Sequence, residues 1–342
     1  MQALFEQAQY CSTQFMTSPI VLIIFATLIL LMLAIDLGVF NRKIHEISSR
    51  EALVWSMVWI GLAMAFSGYI YLDSPPETAV DRLSQFQTAY WIEKALSVDN
   101  LFVFILIFNF FNVQRIYHHK VLYWGILGAV VLRAIFIFSG VELINFTYLP
   151  EYTILGKVVR INAVLAVFGV FLVYAGIKSW FVNEEDDEET DFSKSPGARA
   201  IYKLFPVSKE FDRDRFFTME NGKRMVTPLL VVVGVVEFTD LIFAVDSIPA
   251  IFAVSNDPFI LYMSNIFAIL GLRSLYFLLS NFMHMFSRLK YGLAIILAFI
   301  GFKMVINPFF HISSPVSLLI VLGVLVGSFL LSVAFPIRET VE

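Results

Sequence analysis

One acidic pattern occurs twice in the chain. It consists of a carboxylate, five further residues ending in valine, an aspartate, and a side chain with a neutral oxygen. Its members are Glu93, Asp99 and Asn100 in the first copy and Asp240, Asp246 and Ser247 in the second. Carboxylate, amide and hydroxyl oxygens suit hard divalent cations such as Mg²⁺, Ca²⁺ and Mn²⁺, whereas Cu⁺ and Zn²⁺ favour sulfur or imidazole. The pattern therefore predicts a hard divalent cation site whose closely spaced acids also bind protons.

Both copies lie in apolar stretches long enough to cross a bilayer. A membrane helix needs roughly 20 mostly apolar residues. Nine windows of the sequence meet this need, approximately 19–40, 52–72, 84–111, 120–146, 158–182, 226–254, 258–283, 291–310 and 315–336. A charged side chain near the bilayer centre costs at least about 2.5 kcal/mol, so each acid of the pattern is a functional candidate by its position alone.

The overall composition agrees with a membrane protein. Of the 342 residues, 58% are hydrophobic and 15% are charged, and the mean hydropathy is +0.78. Soluble domains carry about 45–50% apolar and about 25% charged residues. We therefore expect an all-α, polytopic membrane helix bundle and no water-soluble globule. A single cysteine excludes a disulfide framework, and the dispersed basic residues of a chain with net charge −4 form no nucleic-acid-binding surface.

The charged loops predict how the chain is oriented. When successive loops are assigned to alternating sides, 16 of the 24 lysines and arginines fall on one side and 3 on the other. Cytoplasmic loops carry the excess of these residues, so we expect the N-terminus outside and the C-terminus in the cytoplasm of a plasma (inner) membrane. Residues 1–41 contain no lysine or arginine, and we expect the first window to remain in the mature protein.

The acidic pattern belongs to a longer internal repeat. Two further motifs recur in the same order, Leu132-Arg133 with Leu272-Arg273 and Gly176-Ile177-Lys178 with Gly301-Phe302-Lys303. Each copy contains three spans, an odd number, so the second copy enters the membrane from the opposite side. The expected segments are two N-terminal helices (1–75), a first three-helix repeat (76–182), an acidic and basic cytoplasmic loop (183–225), a second three-helix repeat (226–310), and a C-terminal helix with its tail (311–342).

Inversion predicts how the four repeated acids are arranged. If the third and sixth spans lie side by side, Glu93 comes level with Asp246, and Asp99 comes level with Asp240. Six residues turn a regular helix through about 600°, so two acids of one copy would not share a face of an unbroken helix. We expect Pro249 to disturb the turn that holds Asp246 and to free carbonyl oxygens as additional ligands.

Intramembrane basic residues allow a second interpretation. The same acids could pair with these cations and simply hold the bundle together, in the combinations Glu93 and Asp99 with Lys94 and Arg133, and Asp240 and Asp246 with Arg273 and Lys303. Buried ion pairs add little net stability compared with apolar packing, so function is the better explanation for the acids, while both explanations stay open for the two arginines. Lys178 and Lys303 lie near span ends, where their amines can reach the interface.

Several other residues are secondary candidates. Glu237, three residues before Asp240, is a possible fifth cation ligand, and Asp36 could act at a gate or pair with nearby cations at the end of the first span. The acidic run 184–191 is typical of a solvated linker, with a cation-concentrating funnel as the alternative. Gly323 and Gly327 form a GxxxG pattern that hints at a helix contact.

The two motifs resemble the TerC family of integral membrane proteins, which is named for tellurium resistance and includes the Alx-type proteins. The resemblance rests on the segments EKALSVDNLFVF from Glu93 to Phe104 and VEFTDLIFAVDSIPAIFA from Val236 to Ala253. It implies similarity to the LysE-type transporters, with a three-plus-three helix core and Mn²⁺ export among bacterial relatives. The metal-site residues that it implies are Glu93, Asp99, Glu237, Asp240, Asp246 and Asp36. Ala95 stands where relatives often have serine, so no hydroxyl ligand is expected there.

These observations lead to a main hypothesis and two alternatives. The main hypothesis is a divalent metal ion transporter, with Mn²⁺ efflux from the cytoplasm coupled to protons, with no resident cofactor and no enzymatic activity. Its expected partners are the metal ion, protons and the lipid bilayer. The first alternative is a membrane scaffold for a metal or tellurite stress response or an assembly complex, with the central loop as docking surface. The second is an intramembrane aspartyl protease using Asp99 and Asp246, although the chain lacks the GxGD signature of such enzymes.

Overall fold

A computed structural model describes residues 48–150, 152–154, 157–159, 161–181, 191–220, 222–282 and 289–334, together with residues 27 and 31. Ten α-helices lie in these ranges. They are α1 (Ser49–Asp73), α2 (Ala79–Phe110), α3 (Arg115–Phe146), α4 (Ala163–Phe181), α5 (Pro196–Leu204), α6 (Pro228–Phe252), α7 (Pro258–Leu270), α8 (Leu272–Phe282), α9 (Leu289–Ile306) and α10 (Ser314–Ala334). The chain is an all-α, polytopic membrane helix bundle.

Local sequence signals explain where several of these helices begin. The Ser48 hydroxyl accepts a hydrogen bond of 3.3 Å from the backbone N–H of Glu51 at the start of α1. The Asp257 carboxylate caps α7 by accepting from the backbone N–H groups of Phe259 (3.0 Å) and Ile260 (3.4 Å). Such side chains satisfy N–H groups that have no partner within the helix. Helices α6 and α7 also begin with a proline, whose missing donor is not needed at that position.

The predicted spans correspond to long helices wherever the structure describes them. Six of the described helices are long and apolar enough to cross a membrane, namely α1, α3, α4, α6, α9 and α10, and the bent pair α7–α8 would make a seventh. Helix α2 is 32 residues long, but three charged residues interrupt its most apolar part. The first predicted window, 19–40, lies outside the described residues except for two isolated positions. The number nine therefore stays a prediction.

Helix α7 is the most enclosed element. Every residue from Ile260 to Leu270 except Tyr262 is buried, and α7 packs against α1, α2 and α3. By contrast, α4 and α10 expose many large apolar side chains, which suits a surface that faces lipid. The contacts α2–α7 and α3–α6 would be equivalent under the predicted inverted repeat, as would α4–α6 and α9–α2. This pattern supports the repeat, which itself stays a prediction.

Glycines bring α4 and α9 into close contact. A Cβ atom added at Gly301 would lie 2.5 Å from the carbonyl oxygen of Gly169, and one added at Gly176 would lie 2.7 Å from the carbonyl oxygen of Ala294. Small residues at such positions let two membrane helices approach through their backbones. By contrast, Gly323 and Gly327 have nothing within 4 Å of an added Cβ among the described residues, so the predicted GxxxG contact is not seen there.

The structure shows a bend that the sequence did not predict, and α6 does not end at Pro249. Helix α6 continues without interruption from Pro228 to Phe252, with Pro249 inside its last turns. Because Pro249 lies near the end of the helix, the missing N–H costs one hydrogen bond without ending the helix. The chain instead bends by 44° between α7 and α8, at Gly271.

The second half of the predicted cytoplasmic loop is folded. A short 3₁₀ helix (Phe192–Lys194) precedes α5, and strands β3 (Phe217–Glu220) and β4 (Lys223–Val226) form an antiparallel hairpin. The carboxylate of Asp191 pairs with Lys194 at 2.8 Å, and these contacts lower the pKa of Asp191. A second pair of strands, β1 (Tyr152–Ile154) and β2 (Lys157–Val159), precedes α4, so the fifth span begins later than predicted.

We expect Gly301→Ala to destabilise the bundle. The added Cβ would meet backbone atoms of Gly169 (2.5 Å) and Val173 (2.7 Å), which cannot rotate away as a side chain can. Overpacking of this kind costs about 1–3 kcal/mol. Thermal unfolding of the purified protein in detergent measures the effect. Gly323→Ala is the matched control, and its open surroundings predict an unchanged or slightly higher melting temperature. Equal behaviour of the two variants would contradict the close packing.

Candidate cation site

The site begins with two acids on neighbouring helices. Glu93 lies near the middle of α2 and Asp240 near the middle of α6, and these helices are in contact. The exposed fraction is 0% for Glu93 and 5% for Asp240. Acids this deep in a helix bundle need a charged or polar partner, because a carboxylate taken from water loses its hydration.

Arg133 of α3 supplies that partner to both acids. Its Nη1 donates to Oε1 of Glu93, and its Nη2 donates to Oδ1 of Asp240 at 3.5 Å. The guanidinium is itself only 1% exposed. The structure thus joins the first copy of the acidic pattern to the second through one arginine, a combination that sequence reasoning did not predict. It does contain the Glu93–Arg133 pair considered in the second interpretation of the charges.

Each of these charged groups keeps a free hydrogen-bonding atom. Four buried side-chain atoms of these residues and of Asn265, namely Glu93 Oε2, Asp240 Oδ2, Arg133 Nε and Asn265 Nδ2, have no hydrogen-bond partner among the described atoms. The buried hydroxyls of Ser97 on α2 and Ser247 on α6 have none either. Buried polar groups are normally paired, so a concentration of unpaired oxygens calls for an explanation. Binding of a cation would supply the missing partner for the oxygens.

Asn265 is a site residue that the sequence did not reveal. It lies in α7, is fully buried, and accepts a hydrogen bond of 3.2 Å from Arg133 Nη1. A polar residue in the middle of an otherwise apolar span was the available signal. It was missed because Asn265 is uncharged and belongs to neither copy of the acidic pattern.

Several predicted ligands fall outside this description. The side chains of Asp99 and Asp246 and the whole of Asp36 lie outside the described part of the chain. The backbone of Asp99 belongs to α2 and that of Asp246 to α6. Whether the four repeated acids form two levels therefore stays a prediction. Among the side chains that are described, no three acids, histidines or cysteines come together as a metal-binding group.

Glu237 lies close to the same centre on α6. A Cβ added to Gly128 of α3 would overlap the Glu237 carboxylate, so this glycine makes room for the acid. Glu237 is partly buried, one helical turn before Asp240. The arrangement is consistent with the predicted fifth ligand, with the carboxylate held against α3.

Lys94 has a different role from its neighbour Glu93. Its amine is buried and donates to the carbonyl oxygen of Ala268 at 3.2 Å, close to the end of α7. A Cβ added at Gly271 would lie 2.6 Å from this amine, so the glycine at the bend makes space for it. A cation at the C-terminal end of a helix is favoured by the partial negative charge of the free carbonyls. Lys94 therefore stabilises the bend between α7 and α8.

The other basic and amide residues of the repeated motifs lie in different environments. Arg273 is buried in the first turn of α8, and Asn100 is partly buried on α2. Lys178 is exposed at the end of α4, as an amine that reaches the interface would be. Lys303 differs from that expectation, because its side chain is buried in the last turn of α9.

A narrow apolar cavity approaches the site from one end of the bundle. Asp240 is its only charged lining residue among those described. The other lining residues are Leu101, Phe104, Leu122, Gly125, Ile126, Ala129, Val236, Ile269 and Leu272. Seven of these residues follow Glu93 in α2 or precede Arg133 in α3 or Asp240 in α6, and the other two, Ile269 and Leu272, flank the bend between α7 and α8. The cavity therefore lies between the charged centre and the end of the bundle where α2 ends and α3 and α6 begin.

Comparison with known proteins identifies the family. The integral membrane protein TerC family matches residues 78–340, which include both acidic motifs and the bridging arginine. The chain belongs to the TerC family. No solved structure matches the chain.

Relatives of the TerC-family chain extend over almost its whole length. An uncharacterized membrane protein of Myxococcus xanthus is 42% identical over 308 residues, which is 90% of each chain. A protein of Escherichia coli strain K12, named provisionally as a membrane-bound redox modulator, Alx, is 41% identical over 313 residues, 90% of this chain and 92% of its own. A Rickettsia bellii membrane protein is 38% identical over 303 residues.

We expect Glu93→Gln to destabilise this TerC-family protein. Glutamine keeps the shape and one acceptor but removes the charge opposite Arg133. Leaving a buried charge uncompensated costs about 3–5 kcal/mol, and the remaining contact to Asp240 places the effect toward the lower end. Thermal unfolding in detergent measures it. Glu142→Gln, at an exposed position of α3, is the control and should leave the melting temperature unchanged. A Glu93→Gln protein as stable as the control would contradict the bridge.

Proposed function

We propose that this TerC-family protein is a transporter of divalent metal ions, most specifically an exporter of Mn²⁺ from the cytoplasm. The observation that carries the proposal is the buried pair Glu93 and Asp240, each with one oxygen on Arg133 and one without a described partner. Carboxylates within membrane spans are costly, and they mark ion pathways and proton relays.

The ligand chemistry selects the class of ion. The described centre contains carboxylate and amide oxygens, and the chain has one cysteine, residue 11 of the sequence. Oxygen ligands suit Mn²⁺, Mg²⁺ and Ca²⁺. Mn²⁺ is the member of this class that the family resemblance favours, and protons are the coupling ion that the same acids can carry.

The position of the cavity supports export of the ion from the cytoplasm. It lies beside Asp240, toward the end of the bundle where α2 ends and α3 and α6 begin. The excess of lysine and arginine in the loops at that end favours the cytoplasmic side of an inner membrane, in line with an N-terminus outside. On that assignment, a path through the cavity would lead a cytoplasmic ion to Asp240.

We expect the purified protein in liposomes to move Mn²⁺ in response to a pH gradient, and Asp99→Asn and Asp246→Asn to abolish that movement. Each variant removes one carboxylate of the repeated pattern and keeps its size. The flux is measured with a Mn²⁺-sensitive dye inside the vesicles. Glu142→Gln is the control, because it removes an exposed acid of α3 and should keep wild-type flux.

The outcomes separate the competing hypotheses. Flux by both aspartate variants equal to wild type would overturn the site assignment. A wild-type protein without any metal flux would favour the scaffold alternative, and cleavage of a membrane peptide that an aspartyl inhibitor blocks would favour the protease. The chain has one cysteine and therefore no intramolecular thiol pair.

A further inference from the structure

We infer that Arg133 is a resident cation that occupies the transport site between cargo ions and must be displaced when a divalent ion binds. The inference rests on the proposed function and assigns a specific role to a residue outside the acidic pattern. Its basis is the position of the guanidinium, which lies between two acids from opposite copies of that pattern.

Arg133 contacts only one of the two carboxylate oxygens of each acid. The guanidinium takes one oxygen of Glu93 and one oxygen of Asp240, while the second oxygen of each has no described partner. Arginine and carboxylate groups frequently pair through two parallel hydrogen bonds. Here neither acid is bound in that way, so both can turn toward a second cation.

Charge balance makes the arginine and a divalent cargo compete. Glu93 and Asp240 together carry two negative charges, and Arg133 returns one positive charge. A divalent ion bound to the free oxygens of these two acids would place two further positive charges directly beside the guanidinium. Like charges repel strongly where water is excluded. Binding of the cargo ion therefore drives the guanidinium away from the carboxylates.

The structure contains a neutral acceptor for the displaced guanidinium. Asn265 Oδ1 already accepts a hydrogen bond of 3.2 Å from Nη1, the same nitrogen that contacts Glu93. The contact from Nη2 to Asp240, at 3.5 Å, is the longest of the three and is at the limit of a hydrogen bond. Arg133 can therefore leave Asp240 first and still keep a hydrogen bond to Asn265.

A tethered cation also explains selection of divalent ions. A monovalent ion such as K⁺ brings the same charge as the guanidinium, which is already present at a high effective concentration because it is attached to α3. K⁺ therefore gains nothing over Arg133 in the empty site. A divalent ion brings twice the charge and can displace it. When no cargo ion is bound, Arg133 compensates the negative charges of the Glu93 and Asp240 carboxylates.

Equilibrium binding of Mn²⁺ to the purified protein, measured by calorimetry with and without K⁺, tests this role. In Arg133→Gln we expect the Kd for Mn²⁺ to fall at least tenfold and K⁺ to compete with Mn²⁺, which it does not do in wild type. The maximal flux in liposomes should fall, because nothing replaces the ion as it leaves. Lys178→Gln removes an exposed positive charge from α4 and should match wild type in all three measurements.

A purely structural clamp predicts a different result. In that case Arg133→Gln would weaken Mn²⁺ binding or leave it unchanged, and K⁺ would have no effect, which would overturn the inference. If Arg133→Gln does not fold, Arg133→Lys serves in its place. Lysine keeps the positive charge but has a shorter reach and one nitrogen in place of the two that contact Glu93 and Asp240, so we expect tighter Mn²⁺ binding than in wild type by a smaller factor. Equal or weaker binding in Arg133→Lys would overturn the inference as well.

Failure of the proposed function is recognisable separately. If wild type and Glu142→Gln neither bind nor move Mn²⁺, the transport proposal fails. If wild type binds and moves Mn²⁺ while the Arg133 variants show no gain in affinity, only the role of Arg133 fails.

Discussion

The interaction on which the rest of the site depends is the bridge from Arg133 to Glu93 and Asp240. Three buried charges from α2, α3 and α6 meet at one guanidinium. Within a bilayer each of these charges needs a partner of opposite charge, because a buried unpaired charge loses its hydration without compensation. The bridge therefore restricts how these three helices can be placed relative to one another.

Glycines provide space in the bundle, some beside charged side chains and others where two helices pack closely. Gly128 leaves room for the Glu237 carboxylate beside α3, and Gly271 leaves room for the Lys94 amine at the bend between α7 and α8. Close backbone packing of α4 on α9 then completes the bundle at its side. Glycines thus provide space for the Glu237 and Lys94 side chains. Large apolar side chains cover the outer faces of the helices, on the lipid side.

Much of the fold could be predicted because a bilayer imposes simple rules. Span length and charge scarcity located eight of the nine windows on helices that the structure describes. The bend between α7 and α8 was not predicted. Helix α6 continues past Pro249, whereas the chain bends at Gly271, where the Lys94 amine packs. Local composition does not reveal such packing. The family assignment agrees with the motifs on which the resemblance rested.

The sequence by itself determined the solvent, the helical class, the family and the identity of the acids. Those properties depend on residue type and spacing along one chain. Span length follows from the thickness of the bilayer, and the class of ion follows from the type of ligand atom. Tertiary structure decided which charges meet. It joined Glu93 and Asp240 through Arg133, added Asn265, and directed Lys94 to a helix end instead of an acid. Pairings of this kind depend on the distances between helices, and residue spacing within a helix contains no information about those distances.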